Sequence, residues 1–197
     1  MLLQLWRNNA CLGPAVSIRQ QPEGIQTQAV QTVMAAGNGM FHLESPAFCA
    51  GERIPLMHAA EGLDLSPPLR WAGAPTATKT YALICEDPDA ASAPWVHWVV
   101  FNIPAPIQAL PAGLDRSPEL PNGARQGLCW GGDTFSRLGY QGPQPPPGQV
   151  HRYDFALYAL DQPLALEPKA TVVALRAAME GHVLAEAHLV AIYGALP

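Results

Sequence analysis

Apolar and polar positions set the frame of this chain. Residues 80–85 (Thr-Tyr-Ala-Leu-Ile-Cys) form a short run rich in β-formers, as a buried strand does. Residues 95–103 are apolar apart from His97 and Asn102, which predicts a central strand covered on both faces. Residues 153–160 (Tyr-Asp-Phe-Ala-Leu-Tyr-Ala-Leu) predict a third strand. Near Met40, the positions Phe41, Leu43 and Phe48 begin an alternation that suits a first strand, and Leu69-Arg70-Trp71 reads as a short extended piece between prolines. Between these lie a turn-rich loop at residues 86–94 and a long Pro- and Gly-rich connection at residues 104–148. Residues 169–180 and 182–191 carry helical periodicity, with Thr171 as N-cap or first-turn residue and Gly181 as a break. Strands first and helices last, without βα alternation, favour an antiparallel sheet core.

Composition sharpens this picture. The 197 residues suit one domain, or a domain with a tail. Hydrophobic residues make up 49% and charged residues only 14%, which excludes a disordered chain. The 21 prolines and 17 glycines interrupt the chain too often for long helices. A net charge of −5 and the absence of any Lys/Arg run supply no basic face for nucleic acid. Cys11, Cys49, Cys85 and Cys129 form no CxxC pair, so a structural zinc site is not expected, and thiols are expected to stay reduced. Residues 1–39 are polar and glutamine-rich in their second half and read as a loose extension, with the packed domain at residues 40–197. No apolar stretch has the length of a secretory signal or a membrane span. The expectation is a cytoplasmic protein with no cofactor and no metal.

Three polar residues stand where apolar neighbours would normally exclude them. Asp87 ends one strand, His97 lies inside Trp95-Val96-His97-Trp98-Val99, and His151 opens another strand in His151-Arg152-Tyr153. A buried polar group is costly unless paired, so each is either a satisfied strand residue or part of a site. The run of residues 142–148 (Gly-Pro-Gln-Pro-Pro-Pro-Gly) fits a rigid loop shaping one wall of a site better than a ligand for a proline-binding groove. An Asp/His pair also occurs in hydrolases, but a Gly-x-Ser-x-Gly elbow is absent, and Cys129 is the one conceivable thiol nucleophile. Two histidines and a carboxylate can form an iron facial triad, yet the close ligand spacing common in such sites is missing.

Four pieces of this sequence resemble the phosphatidylethanolamine-binding proteins, in their bacterial Raf-kinase-inhibitor-like branch. They are Ser45-Pro46-Ala47-Phe48 through Asp64-Leu65-Ser66-Pro67-Pro68-Leu69-Arg70-Trp71; Asp87-Pro88-Asp89-Ala90 followed by residues 95–102; residues 139–148 followed by His151-Arg152-Tyr153; and the C-terminal stretch from His182 to Gly194. Two departures stand out: Ala91 replaces a proline, and Asp133-Thr134-Phe135-Ser136 replaces Asn-Asp-Phe-Gly. The resemblance implies a mainly β protein, an antiparallel β-sandwich with short C-terminal helices packed beside it. It implies a small pocket for phosphate-like anions and phospholipid head groups, built from Asp87, His97, Pro146, His151 and Tyr153 with Trp95 and Pro145 nearby. It implies a binding protein and not an enzyme, with regulation of a kinase or protease by protein–protein contact as the alternative reading.

The residue chemistry is compatible with an anion. Each imidazole offers an N–H, a protonated one adds charge, and Tyr153 offers a hydroxyl. Asp87 is expected to accept from a histidine, fixing its tautomer and favouring its cation. Charged histidines predict binding that weakens as pH rises through about 6.5, and a few hydrogen bonds to a small ion predict affinities of order mM to tens of μM.

Overall fold

The computed structural model describes residues 40–91, 94–131 and 135–194, so the expected extension at residues 1–39, Cys11 and residues 133–134 lie outside the described residues. Among the described residues, ten strands and one α-helix follow in order: β1 (His42–Glu44), β2 (Leu69–Ala72), β3 (Thr80–Asp87), β4 (Trp95–Pro104), β5 (Ala109–Leu110), β6 (Arg125–Gln126), β7 (Leu128–Gly131), β8 (Phe135–Leu138), β9 (Val150–Leu160), α1 (Val172–Met179) and β10 (Val183–Gly194), with a 3-10 turn at Leu56–His58 between β1 and β2. A three-stranded sheet has the order β1-β2-β5. A seven-stranded sheet has the order β10-β9-β3-β4-β7-β8, with β6 also paired to β4. The strand pairs within both sheets are antiparallel.

Two apolar layers hold the sheets. Leu43, Leu69, Trp71 and Leu110 of the small sheet pack with Leu83, Trp98, Phe155 and Leu189 of the large one. On the opposite face of the large sheet, Leu175 and Met179 of α1 pack on Ile84, Val99 and Phe101. This is the sandwich expected, with β3 and β4 covered on both sides as their apolar runs require. Thr171 caps α1 by accepting the Ala174 N–H at 3.2 Å, and Gly181 breaks the chain at φ +79°.

One element is corrected. Residues 182–191 are not a helix: β10 pairs with β9 along nearly its whole length. Its burial alternates strictly from Glu186 to Ala191, with Ala187, Leu189 and Ala191 inside. Alanine, leucine and glutamate are good helix formers, but cross-strand pairing overrides so weak a preference. The long connection also carries short strands β5 to β8. Among the described cysteines, Cys85 and Cys129 are buried free thiols.

The register of β4 explains how the site forms. Cys85 pairs with Trp98 and Glu86 with Val96, leaving His97 as an extra residue in a β-bulge. Strict alternation would send His97 and Trp98 to opposite faces. The bulge allows Trp98 to join the inter-sheet core while His97 stacks edge-on against Tyr153, itself a member of that core. A second irregularity, between the pairs Tyr81–Ile103 and Leu83–Val100, brackets Asn102 at φ +54°, a conformation that asparagine tolerates.

Candidate functional site

Asp87 ends β3, His97 sits on the bulge of β4, and His151 and Tyr153 lie two residues apart on one face of β9. Because β3 lies between β4 and β9 in the sheet, the three strands deliver these side chains to one end of it. All four are nearly enclosed, at 4%, 5%, 7% and 1% exposure respectively.

The Asp87 carboxylate organises the cluster. Its Oδ1 accepts the Asp89 backbone N–H at 2.9 Å, and its Oδ2 lies 2.7 Å from His151 Nδ1. This is the expected contact, a buried carboxylate paired to an imidazole. At the other end of the ring, His151 Nε2 lies 2.9 Å from Gln149 Oε1. His97 Nδ1 lies 2.7 Å from the Gln141 carbonyl, which fixes that nitrogen as the N–H donor. Burial pulls the His97 pKa below its ordinary value, against the raising effects of the Gln141 carbonyl and Asp87. His97 is therefore held toward the neutral form.

Tyr153 packs edge-on against His97 with ring centroids 5.1 Å apart. Its hydroxyl is buried and makes no well-formed hydrogen bond. Burial first, and then the nearby Asp87 carboxylate, push its pKa far up, so the proton stays on the oxygen. Buried polar atoms of this kind are rare in folded proteins.

The remaining expected residues lie at the margin. Trp95 is half-buried and pairs with Asp87 across the β3–β4 ladder. Pro146 is exposed, on a turn closed by the Gln149 N–H donating to its carbonyl at 3.1 Å. Pro145 is half-buried, and a Cβ on Gly194 would stand 3.0 Å from its ring and 2.0 Å from the Gln149 carbonyl oxygen, so glycine is needed at this close approach. At the rim, Asp89 takes Arg152 Nη2 at 2.6 Å and Nε at 2.9 Å, and these bonds hold its pKa down to about 2.

Three contributors escape a reading of the sequence. Tyr193 of β10 pairs directly with His151, and its side chain is buried. Gln149 reaches the His151 ring. Asp64, at φ +54°, accepts from Arg116 Nη2 at 2.5 Å, Arg137 Nη1 at 3.2 Å and the Gly142 N–H at 2.7 Å. Arg137 also donates to the Gln141 side chain. This network holds the Gln141–Gly142 backbone whose carbonyl engages His97. Gly142 itself admits no side chain: a Cβ would stand 2.5 Å from the His58 carbonyl oxygen. Asp64 falls within a quoted motif, but only the fold reveals what it joins. A surface hollow of about 250 Å³, lined by Arg53, Val150, Ile192, Tyr193 and Gly194, adjoins this end of the sheet.

Comparison with known proteins agrees with this architecture. Residues 44–194 match the model of the phosphatidylethanolamine-binding protein family. A UPF0098 protein of Methanothermobacter thermautotrophicus is 48% identical over 152 residues, covering 77% of this chain and 97% of the relative. The crystal structure of a phosphatidylethanolamine-binding protein homologue, CT736 from Chlamydia trachomatis, superposes with a TM-score of 0.70 at 35% identity, covering 79% of this chain and 98% of that one. That of Escherichia coli YbcL, described as a new member of the mammalian family, gives 0.72 at 30% identity, covering 80% and 99%. The chain belongs to the phosphatidylethanolamine-binding protein family.

Proposed function

We propose that the Asp87–His97–His151–Tyr153 cluster binds a small oxyanion, either free phosphate or the phosphate of a phospholipid head group. The observation that carries this reading is the buried Tyr153 hydroxyl, which makes no well-formed hydrogen bond and has the Asp87 carboxylate nearby, on a ring packed against the His97 imidazole. A ligand oxygen would give that O–H an acceptor, and His151 adds a second donor when its Nε2 is protonated. With His97 held neutral and its Nδ1–H engaged by Gln141, its other nitrogen carries a lone pair. That lone pair suits a ligand that also brings a donor, such as a singly protonated phosphate or the ammonium of an ethanolamine head group. Asp87 orients His151 and offers a negative partner for the same ammonium.

The proposal is for binding, not catalysis. The Cys129 thiol is buried, donates to the Arg137 carbonyl at 2.9 Å and has its pKa pushed up to about 11 by burial, which is not the setting of an activated nucleophile. No helix among the described residues is long and apolar enough to cross a membrane. Cytoplasmic placement belongs to the proposal as well. Cell fractionation tests that placement.

Calorimetric titration with inorganic phosphate and with phosphoethanolamine tests the reading. Tyr153→Phe removes a buried hydroxyl that makes no well-formed hydrogen bond, so stability should change little while affinity falls. The loss expected is about two- to tenfold, one net hydrogen bond. Equal affinity of wild type and Tyr153→Phe would reject the role given to the hydroxyl. A protein acting only through partner contacts would bind neither ligand.

A further inference from the structure

We propose that Gln149 is a built-in latch on the site, its side-chain oxygen taking the His151 N–H that a ligand oxyanion would use. This rests on the anion-binding reading above and adds a residue that competes for it.

The geometry is local and specific. Gln149 Oε1 lies 2.9 Å from His151 Nε2, and this is the one hydrogen bond its side chain makes among the described residues. His151 Nδ1 faces the Asp87 carboxylate at 2.7 Å, so both ring nitrogens meet acceptors. An amide oxygen is thus placed where a phosphate oxygen would be received.

The latch is built to open. Gln149 is exposed, so a displaced amide is immediately rehydrated and little beyond one net hydrogen bond is lost. Its backbone is held while its side chain swings. The Gln149 N–H donates to the Pro146 carbonyl at 3.1 Å, prolines 145–147 precede it, and Gly148 supplies φ +79°. Opening therefore needs only side-chain rotation.

Three proteins test this: wild type, Gln149→Ala and Gln149→Glu, each titrated with inorganic phosphate and each observed by long-range ¹H–¹⁵N spectra of the imidazoles. Removing the competitor should tighten phosphate binding about two- to tenfold. A carboxylate in its place, held by a charge-assisted bond and repelling the anion, should weaken binding by a similar or larger factor. A residue that merely shapes the turn would not move the two variants in opposite directions. Unchanged or weaker binding by Gln149→Ala overturns the latch, the latter by making Gln149 a ligand donor. The ring spectra separate this from the anion reading. If none of the three proteins binds phosphate, the anion reading fails and takes the latch with it. If wild type binds phosphate but Gln149→Ala binds no tighter, or the His151 Nε2 resonance does not shift in Gln149→Ala, the latch alone is overturned.

Discussion

Replacing Asp87 with asparagine alters one atom and reverses one hydrogen bond. The shape is kept, so no cavity opens, and the amide oxygen can go on accepting from the Asp89 N–H, a bond of 2.9 Å in the parent. The amide nitrogen then faces His151 Nδ1, where the carboxylate oxygen stood at 2.7 Å. A donor now meets the ring, so Nδ1 must give up its proton, while Nε2 keeps the one it gives to Gln149 Oε1. A charge-assisted bond, worth about 1.5–3 kcal/mol, becomes a neutral one of about 0.5–1.5 kcal/mol. The expected destabilisation is the difference, about 1–2 kcal/mol. Urea unfolding at pH 7 reads it as a lower midpoint at unchanged slope. The imidazole ¹⁵N spectrum reads the loss of the proton from Nδ1. A stability change under roughly 0.3 kcal/mol together with an unaltered His151 Nδ1 resonance would refute the claim that Asp87 orients the ring.

Further expectations follow from the surrounding groups. Asp64→Ala strips Arg116, Arg137 and the Gly142 N–H of a shared acceptor. It should destabilise the fold by about 1.5–3 kcal/mol, read by denaturant titration, and shift the ring resonances of His97. Acid should weaken the protein through His97 and His58, whose pKa values burial lowers. The unfolded chain takes up protons near pH 6.5 that the fold refuses, so this stability is full above that value and declines below it. His188 acts in the opposite sense. The Asp154 carboxylate raises its pKa against the effect of burial, so its contribution is present below about 6.5 and is lost as pH rises through the raised value. Urea midpoints at pH 5, 6.5 and 8 check both signs, with a smaller acid loss expected in His58→Gln.

The strands that carry the site were the most legible parts of the chain. β3, β4 and β9 are dense in β-branched and aromatic residues, and a polar His97 within such a run marks itself. β10 was misread because its alanines and glutamate favour helices locally, while its pairing with β9 is decided by residues roughly 25 to 45 positions away in the chain. Strands β5 to β8 are two to four residues long, too short to show any period. The bulge at His97 depends on register, which no local pattern encodes. Tyr193, Gln149 and Asp64 join the site through sheet pairing, a tight turn and a network reaching 78 positions along the chain, so their roles became visible only in three dimensions. The burial that holds His97 toward neutrality is a property of packing, so no stretch of sequence shows it.

The central claim is that one enclosed cluster receives a phosphate oxygen. Its most direct test is a titration of ¹⁵N-labelled wild-type protein with inorganic phosphate, following the imidazole resonances of His97 and His151 and the backbone amide of Tyr153. The account predicts that all three move along one binding curve, with a dissociation constant of order mM to tens of μM. Resonances that stay still at saturating phosphate, or shifts confined to the hollow beside Arg53, would contradict it.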